Sequence, residues 1–283
     1  MISSIKMKKN LKYFLKNKLS NKYLEYVPSS FDIVGDIMIF SEFPEQLRKY
    51  EKLIGKTILD NYHNVKVVLK KTKKYSGKYR TPGLKVIAGE KRKETICKEN
   101  DVFLKLDVEK VYFSSRMGNE RNRIVNMVKP KETVLIMFSG CAPYPLVIAK
   151  NTKSKEIYGI EINPVAHKYA LENIKKNKLE KRVKLFLGDV EKVLPKINKK
   201  FNRIAMPLPK GGENYLNLAL KHIKSKGIIH FYDFLHEDEF YKAEDKIKKA
   251  CNKAKKRYKI IRTVRCGQYS PGFYRVCADF KAI

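Results

Sequence analysis

The sequence predicts an α/β protein: a mostly parallel seven-stranded sheet with helices on both faces, preceded by a small α+β domain. Two observations carry this. From Lys131 onward, short apolar runs alternate with segments of helical periodicity, and such alternation builds a parallel sheet covered on both sides. Within it, Thr133–Glu161 combines an apolar run (Val134–Phe138), a tight Ser139-Gly140-Cys141-Ala142 turn, a helix-like segment and a second apolar run ending in Glu161. This unit suits an adenosine. The turn lets backbone approach a ligand, and an acid at the tip of the second strand accepts hydrogen bonds from ribose hydroxyls. The spacing from turn to acid is about 20 residues, as in dinucleotide-binding units. With one glycine the turn is poor for a pyrophosphate, so a phosphate-free adenosine cofactor such as S-adenosylmethionine fits better.

The elements read in order as follows. Residues 1–30 form a basic arm with helical character up to about residue 25. Residues 31–110 form the α+β domain, and residues 111–283 the cofactor domain. Residues 31–40 suggest a strand with a glycine bend, and Leu47, Tyr50, Leu53, Ile54 and Ile58 fall at helical spacing. Strands are expected at Val65–Leu69, Leu84–Ala88, Glu94–Cys97 and Val102–Leu106, with a basic loop, Lys70–Arg80, carrying Tyr75 and Tyr79. A connecting helix spans 116–129. Strands then follow at 133–138, 156–160, 183–187, 201–206, 226–232, 258–264 and 273–280. Helices lie at 144–151, 164–177, 190–197, 212–223 and 238–255. Only the Gly267–Gly272 region separates the last two strands, so they pair as an antiparallel hairpin at one edge. Seven strands with such a terminal hairpin characterise a class I methyltransferase; a dehydrogenase lacks the reversed strand.

Composition narrows the function. The 283 residues carry 62 Lys+Arg against 29 Asp+Glu, a net charge of +33. Such an excess favours a polyanionic partner, and nucleic acid above all. A lysine-rich surface from an AT-rich genome or a thermophile is the blander source of the same charge. Apolar content is 43%, that of a folded globular chain. No run of about 18 apolar residues is present to span a membrane, and Met1–Lys18 lacks the apolar centre of a signal peptide. A cytoplasmic, monomeric protein is expected. The five cysteines include no C-x-x-C pair, so buried reduced thiols are expected instead of zinc or disulfides.

Several segments carry chemistry. Phe138, Ser139, Gly140 and Ala142 wrap the cofactor's methionine and ribose parts, or form an ordinary strand-to-helix turn. Glu161, followed by Ile162, is the ribose candidate; Asn163 before Pro164 suits the helix cap better. Gly188, Asp189 and Val190 end the third strand of the cofactor domain, where Asp189 either accepts from the adenine amino group or caps a helix. Met206, Pro207, Leu208 and Pro209 end the fourth strand at the ligand-facing edge, and the two prolines make a rigid wall with few donors. Upstream, Tyr112-Phe113-Ser114-Ser115-Arg116 runs into Glu120-Arg121, where an arginine could hold the cofactor carboxylate and Glu120 accept a proton.

Taken together, these motifs resemble the archaeal tRNA (guanine-37, N1)-methyltransferases, relatives of the wyosine aminocarboxypropyl transferases. The likeness runs from about Phe31 to the C-terminus. Its anchors are Y-F-S-S-R-x-x-x-E-R, the M-F-S-G turn, G-I-E-I-N-P, L-G-D-V, P-L-P and the final Y-S-P-G-F-Y-R-V-C-A-D-F. The resemblance implies that Glu120 is the general base for the guanine N1 proton and that Arg80 stabilises charge on guanine O6. It implies that Tyr112 and Arg116 line the cofactor or base pocket, and that the partner is the anticodon loop of tRNA. The chemistry is coherent: a carboxylate base works when desolvated, a guanidinium stabilises developing oxyanion charge, and a loop base can be splayed into a pocket.

Three departures qualify the likeness. Ile136 replaces the acid usual at the end of the first strand. Pro207 stands where many relatives have asparagine, which with Glu161 resembles the bifunctional subgroup that also methylates C7 of 4-demethylwyosine to give isowyosine. Only a basic segment of 30 residues precedes Phe31, so the N-terminal domain that checks the tRNA elbow is expected to be reduced or absent. Two alternatives stay open: aminocarboxypropyl transfer from the same cofactor, against which Arg116 argues, and a tRNA-binding protein with a degenerate cofactor fold, which Ile136 motivates.

Overall fold

The computed structural model describes residues 10–283; the first nine residues of the expected basic arm lie outside the described residues. The chain divides into two compact units. One comprises the residues up to Cys97 with Lys105–Ser115, the other Lys98–Leu104 with Arg116–Ile283.

The first unit begins with two short helices, α1 (Leu11–Leu15) and α2 (Asn21–Leu24). β1 (Asp32–Val34), β2 (Ile37–Phe40), β3 (Val67–Ser76) and β4 (Thr81–Gly89) form a sheet in that order, with α3 (Glu51–Asn61) inserted between β2 and β3. The expected single strand at 31–40 is a hairpin. Gly35 turns it at φ +58°, and a Cβ there would lie 2.2 Å from the Thr95 hydroxyl, so only glycine fits. Leu47, Ile54 and Ile58 are fully buried against Met38, Phe40 and Val68, as helical spacing demanded. The basic stretch Lys70–Arg80 is not a loop: β3 continues through Ser76, antiparallel to β4, and the turn is confined to Gly77–Arg80. Backbone pairing with β4, not apolar alternation, holds it extended. β5 (Glu94–Glu99) and β6 (Val102–Asp107) form a two-stranded sheet whose turn residues belong to the second unit.

In the second unit, α4 (Gly118–Val125) precedes the alternation β7 (Thr133–Ile136), α5 (Pro143–Asn151), β8 (Glu156–Glu161), α6 (Pro164–Lys176), β9 (Val183–Leu187), α7 (Val190–Val193), β10 (Phe201–Met206), α8 (Leu216–His222), β11 (Ile223–His236) and α9 (Tyr241–Lys253). β12 (Tyr258–Ser270) and β13 (Phe273–Ala282) close the chain. The strand order is β12-β13-β11-β10-β7-β8-β9. β7 to β11 run parallel, and β13 lies antiparallel between β11 and β12. The terminal hairpin is therefore at one edge, as expected, with the last strand on its inner side. The chain passes from β7 to β8 on one side and later returns to β10 on the other. That reversal opens the crevice in which α/β sheets bind ligands, beside the carboxyl ends of β7 and β10. Asn163 caps α6 by accepting from the amides of Val165 (3.0 Å) and Ala166 (3.4 Å), with Pro164 at the first helical position. Among the described residues no helix is long and apolar enough to cross a membrane.

Candidate active site

The turn after β7 is conformationally unusual. Phe138, Gly140 and Ala142 have φ of +92°, +56° and +69°, a left-handed region that costs side-chain-bearing residues energy and clusters at functional sites. Two amides, those of Phe138 and Ser139, donate to the Ile160 carbonyl (3.0 and 2.9 Å), which ties the turn to β8. Glu161 completes the closure. Its Oε2 accepts from the Gly140 amide at 2.7 Å and its Oε1 from the Asn163 amide at 2.8 Å. Burial pushes the Glu161 carboxyl up, while the amides of Asn163, Gly140 and Ile162 pull it down; burial prevails. The half-buried carboxylate thus shapes the turn and keeps acceptor capacity for a ribose hydroxyl. The residues fit an adenosine nucleoside: a bent backbone, a carboxylate at the next strand tip, and no stack of glycines for a pyrophosphate.

The neighbouring strand ends complete the crevice. The Gly188 amide donates to the Glu161 carbonyl at 2.8 Å, and Asp189 caps α7 through the Glu191 amide at 2.9 Å. Asp189 is half-buried, and its cap uses one oxygen. Ile162 is half-buried, Val190 buried. The Phe138 ring meets Tyr215 at 5.0 Å. After β10, Met206 and Pro209 are buried while Pro207 and Leu208 are partly exposed. The Leu208 amide turns back onto the Met206 carbonyl at 2.7 Å, so the segment offers a wall, not a row of donors. Ile136, at the β7 tip, is fully buried and pairs with Gly159 and Ala205. An acid there would sit in the apolar core; the turn amide is held by Glu161 instead.

Glu120 lies on the first turn of α4, with its side chain 2% exposed. Arg123, three residues on, grips it through Nε (2.6 Å to Oε2) and Nη2 (2.7 Å to Oε1). The Tyr232 hydroxyl donates to Oε1 at 2.6 Å. A carboxylate has about four lone-pair sites, so these three donors leave one, on Oε2. Arg121 turns the other way into a bidentate pair with Glu99 (2.5 Å each). Arg116, on the 3-10 turn before α4, is exposed. Arg80 and Tyr112 belong to the first unit. Arg80 closes the β3–β4 turn at φ +52°, and Tyr112 packs edge-on against Tyr75 at 5.3 Å, with Lys71 over the Tyr75 ring at 4.6 Å. Basic and aromatic side chains so interleaved suit unpaired nucleotides.

The structure adds residues that the motifs did not single out. Beyond Arg123 lies Asp279, 2.5 Å from its Nη1. Asp279 meets Nδ1 of His230 at 2.5 Å, and Nε2 of His230 meets Nη1 of Arg203 at 2.8 Å. Arg203 also donates to Glu132 (2.8 Å) and to the Met127 carbonyl (2.6 Å). Arginine has no acceptor, so Nε2 of His230 must accept and Nδ1 must carry the proton to Asp279. His230 is therefore neutral, in agreement with the burial that pushes its pKa down. Burial would push the Asp279 carboxyl up, but His230 and Arg123 outweigh it and hold it far below the usual carboxylate range. His230, Cys277 and Asp279 lie within 4.8 Å of one another, but with both imidazole nitrogens engaged and guanidiniums on either side they make a poor cation site. The signal in the sequence was a charge inside an apolar strand: Arg203 in F-N-R-I-A-M, His230 in I-I-H-F, Asp279 in V-C-A-D-F.

Residues 95–261 match the TRM5/TYW2 methyltransferase domain and residues 11–92 the TYW2 N-terminal domain. The chain is 40% identical over 257 residues to the tRNA (guanine(37)-N(1))-methyltransferase Trm5b of Pyrococcus abyssi, covering 90% of this chain and 76% of that one. It is 35% identical over 269 residues to the tRNA (guanine(37)-N(1))/4-demethylwyosine(37)-methyltransferase Taw22 of Nanoarchaeum equitans, covering 77% of this chain and 87% of that one. Its fold superposes on aTrm5 in its complex with tRNALeu with a TM-score of 0.85 at 33% identity, covering 97% of this chain and 78% of that one.

Proposed function

The chain belongs to the TRM5/TYW2 methyltransferase family, and we propose that it methylates N1 of guanosine 37 in the tRNA anticodon loop and, as a second activity, C7 of 4-demethylwyosine. The observation that carries this reading is the pairing, within the second unit, of a nucleoside cradle closed by Glu161 with a desolvated carboxylate, Glu120, that keeps one lone pair unspent. A relative named for the first activity and another named for both support it.

S-adenosylmethionine supplies an electrophilic methyl group on its sulfonium sulfur. Phe138, Ser139, Gly140 and Ala142 would hold its ribose and methionine parts, Glu161 would accept from the ribose, and Ile162, Gly188, Asp189, Val190 and Met206 would hold the adenine. Arg116 holds the cofactor carboxylate. Glu120 takes the N1 proton of guanine onto Oε2, and the N1 electron pair so released forms the new N–CH3 bond as the methyl–sulfur bond breaks, its electron pair leaving with the sulfur of S-adenosylhomocysteine. Arg80 stabilises charge on O6, and Tyr112 lines the base, both as the family resemblance assigns. Pro207, Leu208 and Pro209 present an apolar wall to the base. Because Pro207 offers no side-chain donor, the wall does not select for guanine, which admits a tricyclic base as well.

The test is direct. The enzyme is incubated with labelled S-adenosylmethionine and tRNA transcripts bearing G or A at position 37, or with tRNA carrying 4-demethylwyosine, and the nucleosides are identified by mass spectrometry. Methylation of G37 and of the tricyclic base, with none of A37, is expected. An aminocarboxypropyl adduct in place of a methyl group would assign the chain to the transferase branch.

A further inference from the structure

The buried chain behind Glu120 is longer than a structural ion pair requires. It runs from Glu132 through Arg203, His230, Asp279 and Arg123 to Glu120, then through Tyr232 to Tyr144, whose hydroxyl lies 3.2 Å from that of Tyr232. Arg203, His230, Tyr232 and Asp279 are fully buried or nearly so. Arg262 adds a third contact to Asp279 at 3.0 Å. With His230 neutral, three carboxylates face three guanidiniums, and the cluster carries no net charge.

That balance matters for a base. A carboxylate gripped by a guanidinium of its own resists protonation, because the proton leaves a buried cation without a partner, a costly state. Arg123 is not Glu120's alone. Its Nη1 edge faces Asp279 while Nε and Nη2 face Glu120. When Glu120 becomes neutral, Arg123 keeps Asp279, and Asp279 is held in place by the Nδ1–H of His230. Tyr232 adds direction: its hydroxyl occupies one lone pair of Oε1, which points the unspent Oε2 lone pair at one place only. We propose that Asp279 and Tyr232 are positioning residues for Glu120, Asp279 by matching the Arg123 charge when the base takes its proton and Tyr232 by fixing the carboxylate plane. This rests on the reading of Glu120 as the base. In the proposed step the N1–H bond breaks and the proton moves to Oε2 of Glu120, the nitrogen electron pair forms the bond to the methyl carbon, and the methyl–sulfur bond breaks with its pair leaving on the sulfur of S-adenosylhomocysteine; Arg123 and Asp279 exchange no proton.

The test uses Tyr232→Phe, which deletes one hydroxyl, and Asp279→Asn, which keeps shape and removes charge, with Glu120→Gln alongside. Single-turnover methylation of a G37 transcript is measured with the tRNA KM, the cofactor Kd by calorimetry and the melting temperature. A hydrogen bond to a charged group is worth enough to cost about 10- to 100-fold when lost. Each positioning variant is expected to lose about that much rate with KM and Kd within about twofold of the parent. In a Glu120→Asp background, whose carboxylate is drawn back from the hydroxyl, Tyr232→Phe is expected to cost less than about threefold, since coupled sites are not additive. A merely structural role would move melting temperature and Kd and leave the rate of the folded enzyme alone. Glu120→Gln at the parental rate would remove the base reading and this proposal with it. Glu120→Gln inactive with Tyr232→Phe and the folded Asp279→Asn at full rate would leave the base reading standing and overturn the positioning role. If Asp279→Asn does not fold, Tyr232→Phe alone decides.

Discussion

Replacing Glu161 by glutamine tests the link between the turn and the cofactor. The two carboxylate oxygens each take a backbone amide, Gly140 at 2.7 Å and Asn163 at 2.8 Å. Glutamine has one acceptor oxygen and one amino group, so one of these two amides must face a donor. Losing a partner for a largely buried donor costs about 1–3 kcal/mol. If the Gly140 amide is the one abandoned, the strained turn at Phe138, Gly140 and Ala142 loses the contact that closes it, and the ribose loses a charged acceptor at the same time. At ~1.4 kcal/mol per tenfold, the S-adenosylmethionine Kd is expected to rise about 10- to 100-fold. The melting temperature is expected to fall by a few degrees, at roughly 2–4 °C per kcal/mol for a domain of this size. Calorimetric titration with S-adenosylmethionine and with S-adenosylhomocysteine measures the first, differential scanning calorimetry the second. A Kd within twofold of the parent, for both ligands, would refute the argument: neither the turn nor the ribose would then depend on the Glu161 charge.

Glu120→Gln is expected to abolish N1 methylation with cofactor Kd unchanged, read by single-turnover assay and calorimetry on the same preparation; unchanged turnover would remove Glu120 as the base. Pro207→Asn is expected to depress C7 methylation of 4-demethylwyosine more than N1 methylation of guanine, and equal losses would sink the selectivity argument. Cofactor affinity is expected to depend on pH through Glu161. Its carboxyl holds the proton above the ordinary value of 4.5, and only the charged form is a full acceptor for ribose hydroxyls, so Kd falls as pH rises through the range just above 4.5 and then levels off. In the apoprotein the same raised group contributes stability that is present below the unfolded pKa and lost as pH rises through the folded one. Glu161→Gln should flatten the binding profile; a slope that survives in that variant assigns the titration to another group.

Much of this was legible in the sequence, and the exceptions have physical causes. Strands buried on both faces of a parallel sheet are continuous apolar runs, which is why Thr133–Ile136, buried throughout, lies where the pattern puts it. Gly-Ile-Glu-Ile-Asn-Pro announces a strand tip followed by a capped helix because Asn163 and Pro164 have few other uses side by side. β3 beyond Leu69 was illegible: Lys-Lys-Thr-Lys-Lys-Tyr-Ser has no apolar face, and what extends it is a partner strand that periodicity cannot see. β11 runs from Ile223 to His236, longer at both ends than its apolar centre, because it lies between β10 and β13. The chain behind Glu120 was illegible for a different reason. Its members come from α4, the segment before β7, α5, β10, β11 and β13, and only register places Asp279 opposite His230. A motif search sees neighbours in sequence, whereas an ion network across strands is written in the pairing.

The arrangement of cations explains how one chain carries so large a charge and still folds. Arginine and lysine divide the work. Arg121, Arg123 and Arg203 sit in or near the core of the second unit, each forked onto a carboxylate, and Arg182 spends its guanidinium on the carbonyls of Ala149, Thr152 and Ser154. A planar guanidinium meets two or three acceptors at once and is weakly hydrated, which makes it the cation that tolerates burial. Lysine is strongly hydrated and keeps its ammonium in water, so Lys73 and Lys74 of β3 and lysines of the helix faces remain outside, while Lys70 is spent on Glu51. The consequence reaches the chemistry. Arg121, Arg123 and Arg203 are held against the carboxylates of Glu99, Glu120, Asp279 and Glu132, so the groups around Glu120 are the Arg123–Asp279 pair and Tyr232. If Glu120 is the base, as proposed, a surface that attracts a polyanion and a carboxylate that accepts a proton make opposite electrostatic demands, since a strongly positive site would keep the carboxylate from acting. On that reading, the charge-balanced cluster of Glu120, Arg123, Asp279, Arg262, Arg203 and Glu132 is what reconciles the two demands.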